Sequence, residues 1–206
     1  GTWQGLTALK PSEGLIPLDV PYDGRAAGPL TRTAADSVRL MSIVARPDER
    51  DYLTRAYPPM DWSTEPLAPA GLRVALQLDA GSGLEVEPET LAIIERAAQL
   101  FADAGAVVEP LAPFVGPEVL DGLVGFWRSR SYADFEMLSE ADRALVLPFI
   151  VDWCVAGANF TAAETIRNRN QIDEMARLTR AATAPYDLVL SPVSPVAAFA
   201  AEDPMP

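Results

Sequence analysis

Lys10 is the only lysine of the chain, and Ser12 follows it after one proline. A serine and a lysine can act together as nucleophile and general base, provided that the surroundings lower the pKa of the lysine. Ser191 and Ser194 flank prolines later in the chain and have no base nearby in sequence. The absence of histidine excludes a histidine-based triad and any histidine-ligated metal within these residues. From the residues alone, Lys10 is open to both a catalytic and a structural interpretation.

A second group of residues could form one wall of a substrate-binding cleft. On the helix predicted after Pro117, apolar side chains at helical spacing give way to Arg130 and Asp134. Such a face can pass from a core to a cleft wall, or the helix can simply leave the core and expose Arg130 to solvent. Aromatic side chains of the next apolar helix could line the same pocket or belong to the core. The candidate substrate-binding residues are Trp127, Arg130, Phe149 and Trp153.

Other chemically capable groups favour structural interpretations. Cys154, the only cysteine, lies in an apolar run, which predicts a buried and unreactive thiol. Gly81-Ser82-Gly83 lacks the lysine and the spacing of a phosphate-binding loop. The acids of residues 48–51 and 85–89 are typical of loops and helix starts. Arg32 could pair with a carboxylate or cap nearby carbonyl groups, and we favour the second role.

Composition indicates an acidic, globular protein. The 206 residues are 49% hydrophobic and 22% charged, which is enough to bury a substantial core. The net charge of −13 argues against binding the phosphate backbone of nucleic acids. The longest apolar run, residues 144–158, contains Pro148 and Asp152 and is too short to span a membrane, so it predicts a buried helix with Asp152 on its wet side. A single cysteine and no visible secretory signal lead us to expect a cytoplasmic location.

The N-terminal part is predicted to contain a short strand and one capped helix. Residues 6–9 form the strand candidate, which the Lys10-Pro11 pair ends. Thr33 is a helix N-cap candidate because Asp36 stands three residues later, and Arg46-Pro47 ends the helix.

A proline-rich stretch, residues 48–70, predicts a connector and includes Tyr57-Pro58-Pro59. The predicted organisation is therefore a first segment at residues 1–47, the connector at 48–70, and a β-α-β unit, helical substrate-side region and final strand at 71–206.

The clearest unit is the strand–helix–strand of residues 72–109. The strands cover about residues 72–78 and 106–109, and we expect them to be parallel with a right-handed crossover. The helix between them begins at Pro88 and ends at a Gly105 cap. Its apolar residues share one broad arc: Leu91, Ile93, Ile94, Ala97, Ala98, Leu100 and Phe101.

Helices dominate the remainder. They are predicted at about residues 118–137 and 148–157 and from Thr161 onward, where Glu164 completes a capping box. Residues 186–190 predict a buried strand.

Three stretches carry a resemblance to a known family. They are Gly5-Leu6-Thr7-Ala8-Leu9-Lys10-Pro11-Ser12-Glu13-Gly14, Gly28-Pro29-Leu30-Thr31-Arg32-Thr33-Ala34-Ala35-Asp36, and the aspartate-led strand before Ser191-Pro192-Val193-Ser194-Pro195. In this order and spacing they resemble the amidase signature family, and the resemblance covers most of the chain. It implies an α/β fold, part of an α/β/α sandwich with a central mixed sheet.

The resemblance also implies an activity whose catalytic residues are not in this chain. Members of the family hydrolyse carboxamide C–N bonds with a serine nucleophile, a second serine and a neutral lysine, and backbone N–H groups stabilise the oxyanion. In the family that segment precedes the first matched stretch, and nothing here matches it. The resemblance therefore places Lys10 in a structural turn. We expect no catalytic residue, metal or cofactor in this chain, and no activity of the chain alone.

The expected partners are a small amide substrate and either a second copy of the chain or missing segments of the same protein. We expect neither direct nucleic-acid binding nor a membrane association. Two alternatives remain: an amidotransferase component of a tRNA-amidating complex, and a non-catalytic scaffold domain of the same fold. An upstream glycine–serine segment preceded by a lysine would favour an enzyme over the scaffold.

Overall fold

The computed structural model describes residues 1–19, 21–54 and 60–203. The chain divides into two compact units. The first contains Gly1–Pro69, Val86–Thr90 and Val193–Pro206, and the second contains Ala70–Glu85 and Leu91–Pro192. The predicted Tyr57-Pro58-Pro59 part of the connector lies outside the described residues.

The first unit contains a small antiparallel sheet and one helix. Strand β1 (Thr7–Ala8) pairs with β2 (Leu30–Thr31), and helix α1 spans Ala34–Val44. The side chain of Thr33 accepts a hydrogen bond from the Asp36 N–H at 3.2 Å, which confirms the predicted N-cap. Met41 of α1 is completely buried and forms the core of this unit together with the buried Ser37.

A buried carboxylate joins two loops of the first unit. Asp51 is only 3% exposed. Its two oxygens accept hydrogen bonds from the backbone N–H groups of Leu18, at 2.9 Å, and Leu53, at 2.8 Å. Nearby, the Arg50 guanidinium lowers the pKa of the exposed Asp48 carboxyl to about 2, chiefly through their side-chain hydrogen bonds. The acids of this segment are therefore loop anchors, and Asp51 is one of the few buried polar groups among the described residues.

The second unit is built around a three-stranded parallel sheet of order β4-β3-β5. Strand β3 (Arg73–Leu76), helix α2 (Pro88–Asp103) and strand β4 (Val107–Pro110) form the predicted β-α-β unit, and the parallel pairing is confirmed. Gly105 ends α2 with a φ of 91°, a left-handed conformation that favours glycine. Strand β5 spans Leu188–Leu190. The fold class is α/β.

The prediction of a buried strand at residues 186–190 is wrong. Leu188 and Val189 of β5 are 39% and 38% exposed. The reason is the strand order: β5 pairs only with β3 and is an edge of the sheet, so one side lacks a neighbouring strand among the described residues. Arg73 anchors the start of this edge, because its N–H donates to the Asp187 carboxylate at 2.8 Å and its guanidinium pairs with Glu109 at 2.7 Å.

The helical part of the second unit contains α3 (Pro117–Glu136), the short α4 (Glu140–Arg143), α5 (Pro148–Val155), a 3₁₀ turn (Ala156–Asn159) and α6 (Ala162–Thr183). The predicted capping box of Thr161 and Glu164 is present. Helices α3 and α6 approach closely at Gly122, where an added Cβ would lie 2.3 Å from Cγ of Gln171. Glycine therefore permits this helix contact.

The apolar run 144–158 is not the buried helix that the sequence predicts. It breaks into two turns of chain and α5, and Leu145, Leu147 and Val155 are 82%, 56% and 49% exposed. Helix α5 packs on α3 and the 3₁₀ turn through one side only, and no described element of this unit covers the other side. Asp152 is exposed, as predicted.

The apolar arc of α2 is likewise only partly buried. Ala98 is 5% exposed, whereas Ile93 and Leu100 are 61% and 63% exposed. The arc is wider than the single surface against which the helix packs in the described residues. No helix within residues 1–19, 21–54 and 60–203 is long and apolar enough to cross a membrane.

Candidate functional site

The candidate site is built where α5 packs on α3, and Trp153 is its central side chain. The indole N–H of Trp153 donates to Oγ of Ser131 at 3.2 Å. The guanidinium carbon of Arg128 lies 4.9 Å from the centre of the Trp153 ring. A cation over the face of an indole is attracted by the negative ring face, so this contact holds α5 against α3. Trp153 is thus fixed on both its polar edge and one face.

Two of the four predicted substrate-binding residues come from α3. Trp127 and Arg130 are three residues apart, so they lie on neighbouring turns of one side of the helix. The Trp127 ring makes an edge-to-face contact with Phe126 at 5.6 Å. Arg130 pairs with Asp134 at 3.4 Å, and its side chain is 26% exposed. The Arg130 guanidinium is therefore partly desolvated rather than fully solvated.

The other two come from α5. Phe149 and Trp153 are four residues apart and share one side of that helix, with Phe149 36% exposed and Trp153 half-buried. Because α5 packs on α3, the structure brings these two pairs to the same pair of helices. Their role in binding substrate stays a prediction.

Cys154 lies beside Trp153 and is 6% exposed, which confirms the predicted buried thiol. Burial, and secondarily the nearby Asp134 carboxylate, raises the pKa of the Cys154 thiol. A raised pKa keeps the sulfur protonated at neutral pH, and the protonated thiol is a poor nucleophile. Cys154 therefore contributes packing to this helix pair.

Sequence reasoning missed three residues of this region: Arg128, Ser131 and Tyr132. The Tyr132 hydroxyl donates to Oε1 of Glu136 at 2.6 Å, and this hydrogen bond raises the pKa of Tyr132. Arg128 and Ser131 contact Trp153, which is 25 and 22 residues away in sequence. Helical spacing reveals Tyr132–Glu136, but no local pattern reveals contacts with another helix.

The serine and lysine candidates do not come together as a nucleophile and base. Lys10 and Ser12 are exposed, and the Ser12 carbonyl accepts the N–H of Leu15 in a local turn. The chain passes so close at Gly28 that an added Cβ would lie 1.8 Å from the Leu9 carbonyl oxygen. The two N-terminal stretches singled out in the sequence therefore meet, and Gly28 has a packing reason.

The C-terminal serines are also part of local structure. The Ser194 hydroxyl donates to the Val196 carbonyl at 2.9 Å and accepts its N–H at 3.3 Å. Ser191 is exposed. Arg32 is half-buried and, among the residues that the structure describes, neither pairs with a carboxylate nor caps a carbonyl, so both interpretations of Arg32 were wrong.

Within the described ranges, no cluster of three or more histidine, cysteine, aspartate or glutamate side chains is arranged to hold a metal ion. The arrangement on α3 and α5 offers aromatic surface, one partly desolvated guanidinium and a hydroxyl. Such groups can bind and orient a substrate that is partly apolar, but they contain no nucleophile–base pair.

Comparison with known proteins adds a family to this geometry. The family model described as Amidase matches residues 2–206. An acylamidase of Rhodococcus erythropolis is 27% identical over 201 residues, which are 95% of this chain and 42% of that protein.

Solved structures of similar fold agree with this match. A bacterial aryl acylamidase of the amidase signature family has a TM-score of 0.77 at 21% identity, over 97% of this chain and 44% of its own. The peptide amidase of Stenotrophomonas maltophilia gives 0.68 at 19%, over 92% and 45%. A glutamyl-tRNA(Gln) amidotransferase chain of Thermotoga maritima gives 0.65 at 20%, over 98% and 46%. At these identities the likeness establishes the fold, and the chain spans less than half the length of each relative.

Proposed function

The chain belongs to the amidase family, and from this premise we propose that it is part of an amidase that hydrolyses carboxamide C–N bonds. The match over residues 2–206 carries the proposal. The acylamidase relative, which aligns over 95% of this chain, supports a hydrolase rather than another activity of the same fold. In this account the catalytic serines and lysine belong to sequence outside these 206 residues.

The chemistry expected of the whole protein is acyl transfer to water. The serine oxygen would attack the amide carbonyl, the amine would leave with a proton delivered by the catalytic lysine–serine pair, and water would then release the carboxylic acid. Backbone N–H groups would stabilise the negative charge on the carbonyl oxygen. None of these steps involves a metal or cofactor in our proposal.

The part that this chain plays is to bind substrate. We assign the acyl side of the cleft to Trp127, Arg130, Phe149 and Trp153, because two packed helices present them and because Phe149 and Arg130 keep exposed surface. The aromatic faces would hold an apolar acyl or aryl group, and Ser131 fixes the indole of Trp153 at 3.2 Å. The substrate is thus expected to be a small, partly apolar amide.

The experiment is a kinetic one on the protein as its gene encodes it, with 4-nitroacetanilide as the aryl amide and nitroaniline release as the signal. We expect turnover, and Trp127→Ala should raise KM about tenfold through lost apolar contact. Met137→Ala is the matched control, because Met137 lies at the end of the same helix and is 86% exposed. Lys10→Ala should leave kcat within about twofold, since a base would account for about 100-fold or more.

Loss of activity in Lys10→Ala, with the fold intact, would overturn the assignment of the base to other sequence. An equal KM for Trp127→Ala and Met137→Ala would remove the proposed cleft wall. A protein that hydrolyses no amide but co-purifies with tRNA-amidating partners would instead be the amidotransferase component. A folded protein with neither property would be the scaffold alternative. The cytoplasmic location stays a prediction, which cell fractionation checks.

A further inference from the structure

A groove between α3 and α6 lies in the second unit and has a volume of about 720 Å³. Its closest helix contact is at Gly122 and Gly125, both buried. Toward one end its lining includes Arg128 and Arg167, with the ring of Phe160 beside them. The groove is polar at its rim and partly apolar on its walls, which is typical of a small-molecule site.

The donors of this groove have no partners. Nε of Arg128 is buried and makes no hydrogen bond, and its terminal nitrogens donate to no described residue. Arg167 makes no ion pair within the described residues, although it lies near enough to Glu164 to help lower the pKa of that carboxyl. The side-chain amides of Asn168 and Gln171 also lack a described hydrogen-bond partner. Orphaned buried donors are rare because they cost free energy, and a ligand is one explanation.

Elsewhere on α6 the arginines are satisfied. Arg169 pairs with Asp173 and Arg177 with Glu174. The lack of partners at Arg167 therefore coincides with the side of α6 that lines the groove. Because Arg128 stacks on Trp153, one face of its guanidinium is covered, while its N–H edge remains able to bind an acceptor in its plane.

The opposite end of the groove carries the opposite charge. Glu118 and Asp121 line it, and Asp121 precedes Arg128 by seven residues, about 10 Å along the helix axis. Val124 lies between them on the wall and is 39% exposed. An acidic end repels a second negative charge, so the groove suits a ligand with one anionic group and an apolar remainder.

We propose that the α3–α6 groove is a binding site for an organic monocarboxylate, with Arg128 and Arg167 holding the carboxylate and Phe160 and Val124 contacting the apolar tail. A planar carboxylate matches the donor geometry of a guanidinium, and each charge-assisted pair is stronger than a neutral hydrogen bond. The net charge of −13 repels anions in general, so saturable binding of one requires a local site. The site does not depend on the proposed amidase activity.

Calorimetric titration of hexanoate into the protein as its gene encodes it tests the site. We expect saturable binding that weakens as sodium chloride is raised, because salt screens the charges. Hexanamide, of the same size but neutral, should bind at least about tenfold more weakly, as should the dicarboxylate adipate. Arg128→Gln and Arg167→Gln should each weaken hexanoate about tenfold or more. Arg180→Gln, at the exposed far end of α6, is the matched control and should leave affinity unchanged.

Several outcomes would overturn the proposal. Equal affinity for hexanoate and hexanamide would make the groove an apolar pocket, and tighter binding of adipate would contradict the acidic end. A natively folded protein that binds no hexanoate would refute the site outright. Should Arg128→Gln fail to fold because it loses the Trp153 contact, Arg167→Gln still decides, since Arg167 is exposed and makes no ion pair with a described residue.

Discussion

At the scale of single residues, Asp51 shows how one buried carboxylate can organise a segment without regular structure. Only 3% of it is exposed, and it accepts the N–H groups of Leu18 and Leu53, which belong to loops far apart in sequence. Charge-assisted hydrogen bonds of this kind are stronger than neutral ones. Asp51 therefore replaces the backbone pairing that these loops lack.

Replacement of Asp51 by alanine should destabilise the fold. It leaves two backbone N–H groups without an acceptor, at roughly 1–3 kcal/mol for each buried donor. Equilibrium unfolding in urea measures the loss. Glu49→Ala is the control, since Glu49 is exposed and has no described partner. Similar unfolding midpoints for the two variants would show that the two hydrogen bonds contribute nothing.

Residues whose roles are local could be predicted, and those whose roles depend on tertiary packing could not. The Thr33 cap and the Thr161–Glu164 box follow from spacing of three residues and are present. The orphaned donor of Arg128 and its contact with Trp153 depend on where α5 and α6 pack. Nothing in the sequence near Arg128 distinguishes it from a solvated arginine.

At the scale of elements, the contact of the 3₁₀ turn with α3 depends on Gly157. A Cβ at this position would lie 2.1 Å from the carbonyl oxygen of Arg128. That oxygen belongs to a helix backbone and cannot move aside as a flexible side chain could. Gly157 thus sets how closely the segment after α5 approaches α3.

Gly157→Ala should therefore separate these elements and cost about 1–3 kcal/mol, the range of overpacked positions. Gly116→Ala is the matched control, because nothing lies within 4 Å of a Cβ there and its φ is −90°. Thermal or urea unfolding compares the two variants. A Gly157→Ala protein as stable as Gly116→Ala would contradict the close approach.

Element types were predicted better than their burial. Strand β3, helix α2 and strand β4 follow from periodicity and from the Pro88 and Gly105 signals, which are local. The same apolar pattern that marks α5 and β5 led to the wrong expectation that both are buried. Apolar periodicity indicates which side can be covered, but the covering element decides the outcome.

At the scale of the whole molecule, the exposed area exceeds what compact domains require. The chain exposes 13825 Å² at a mass of 22.1 kDa. Two separate compact domains sharing this mass would expose only about 11,000 Å² between them. Much of the excess is apolar, including Leu145, Leu147 and Ile93. This surface supports the proposal that further protein packs on the chain and brings the catalytic residues with it.

The central claim is that the nucleophile lies outside these 206 residues, and covalent labelling tests it most directly. The protein as its gene encodes it would be treated with a serine-directed fluorophosphonate, and the labelled residue would be identified by peptide mass spectrometry. We predict one labelled serine, in a peptide that is not part of this chain. A label on Ser12, Ser191 or Ser194, or no label on the folded protein, would contradict the account.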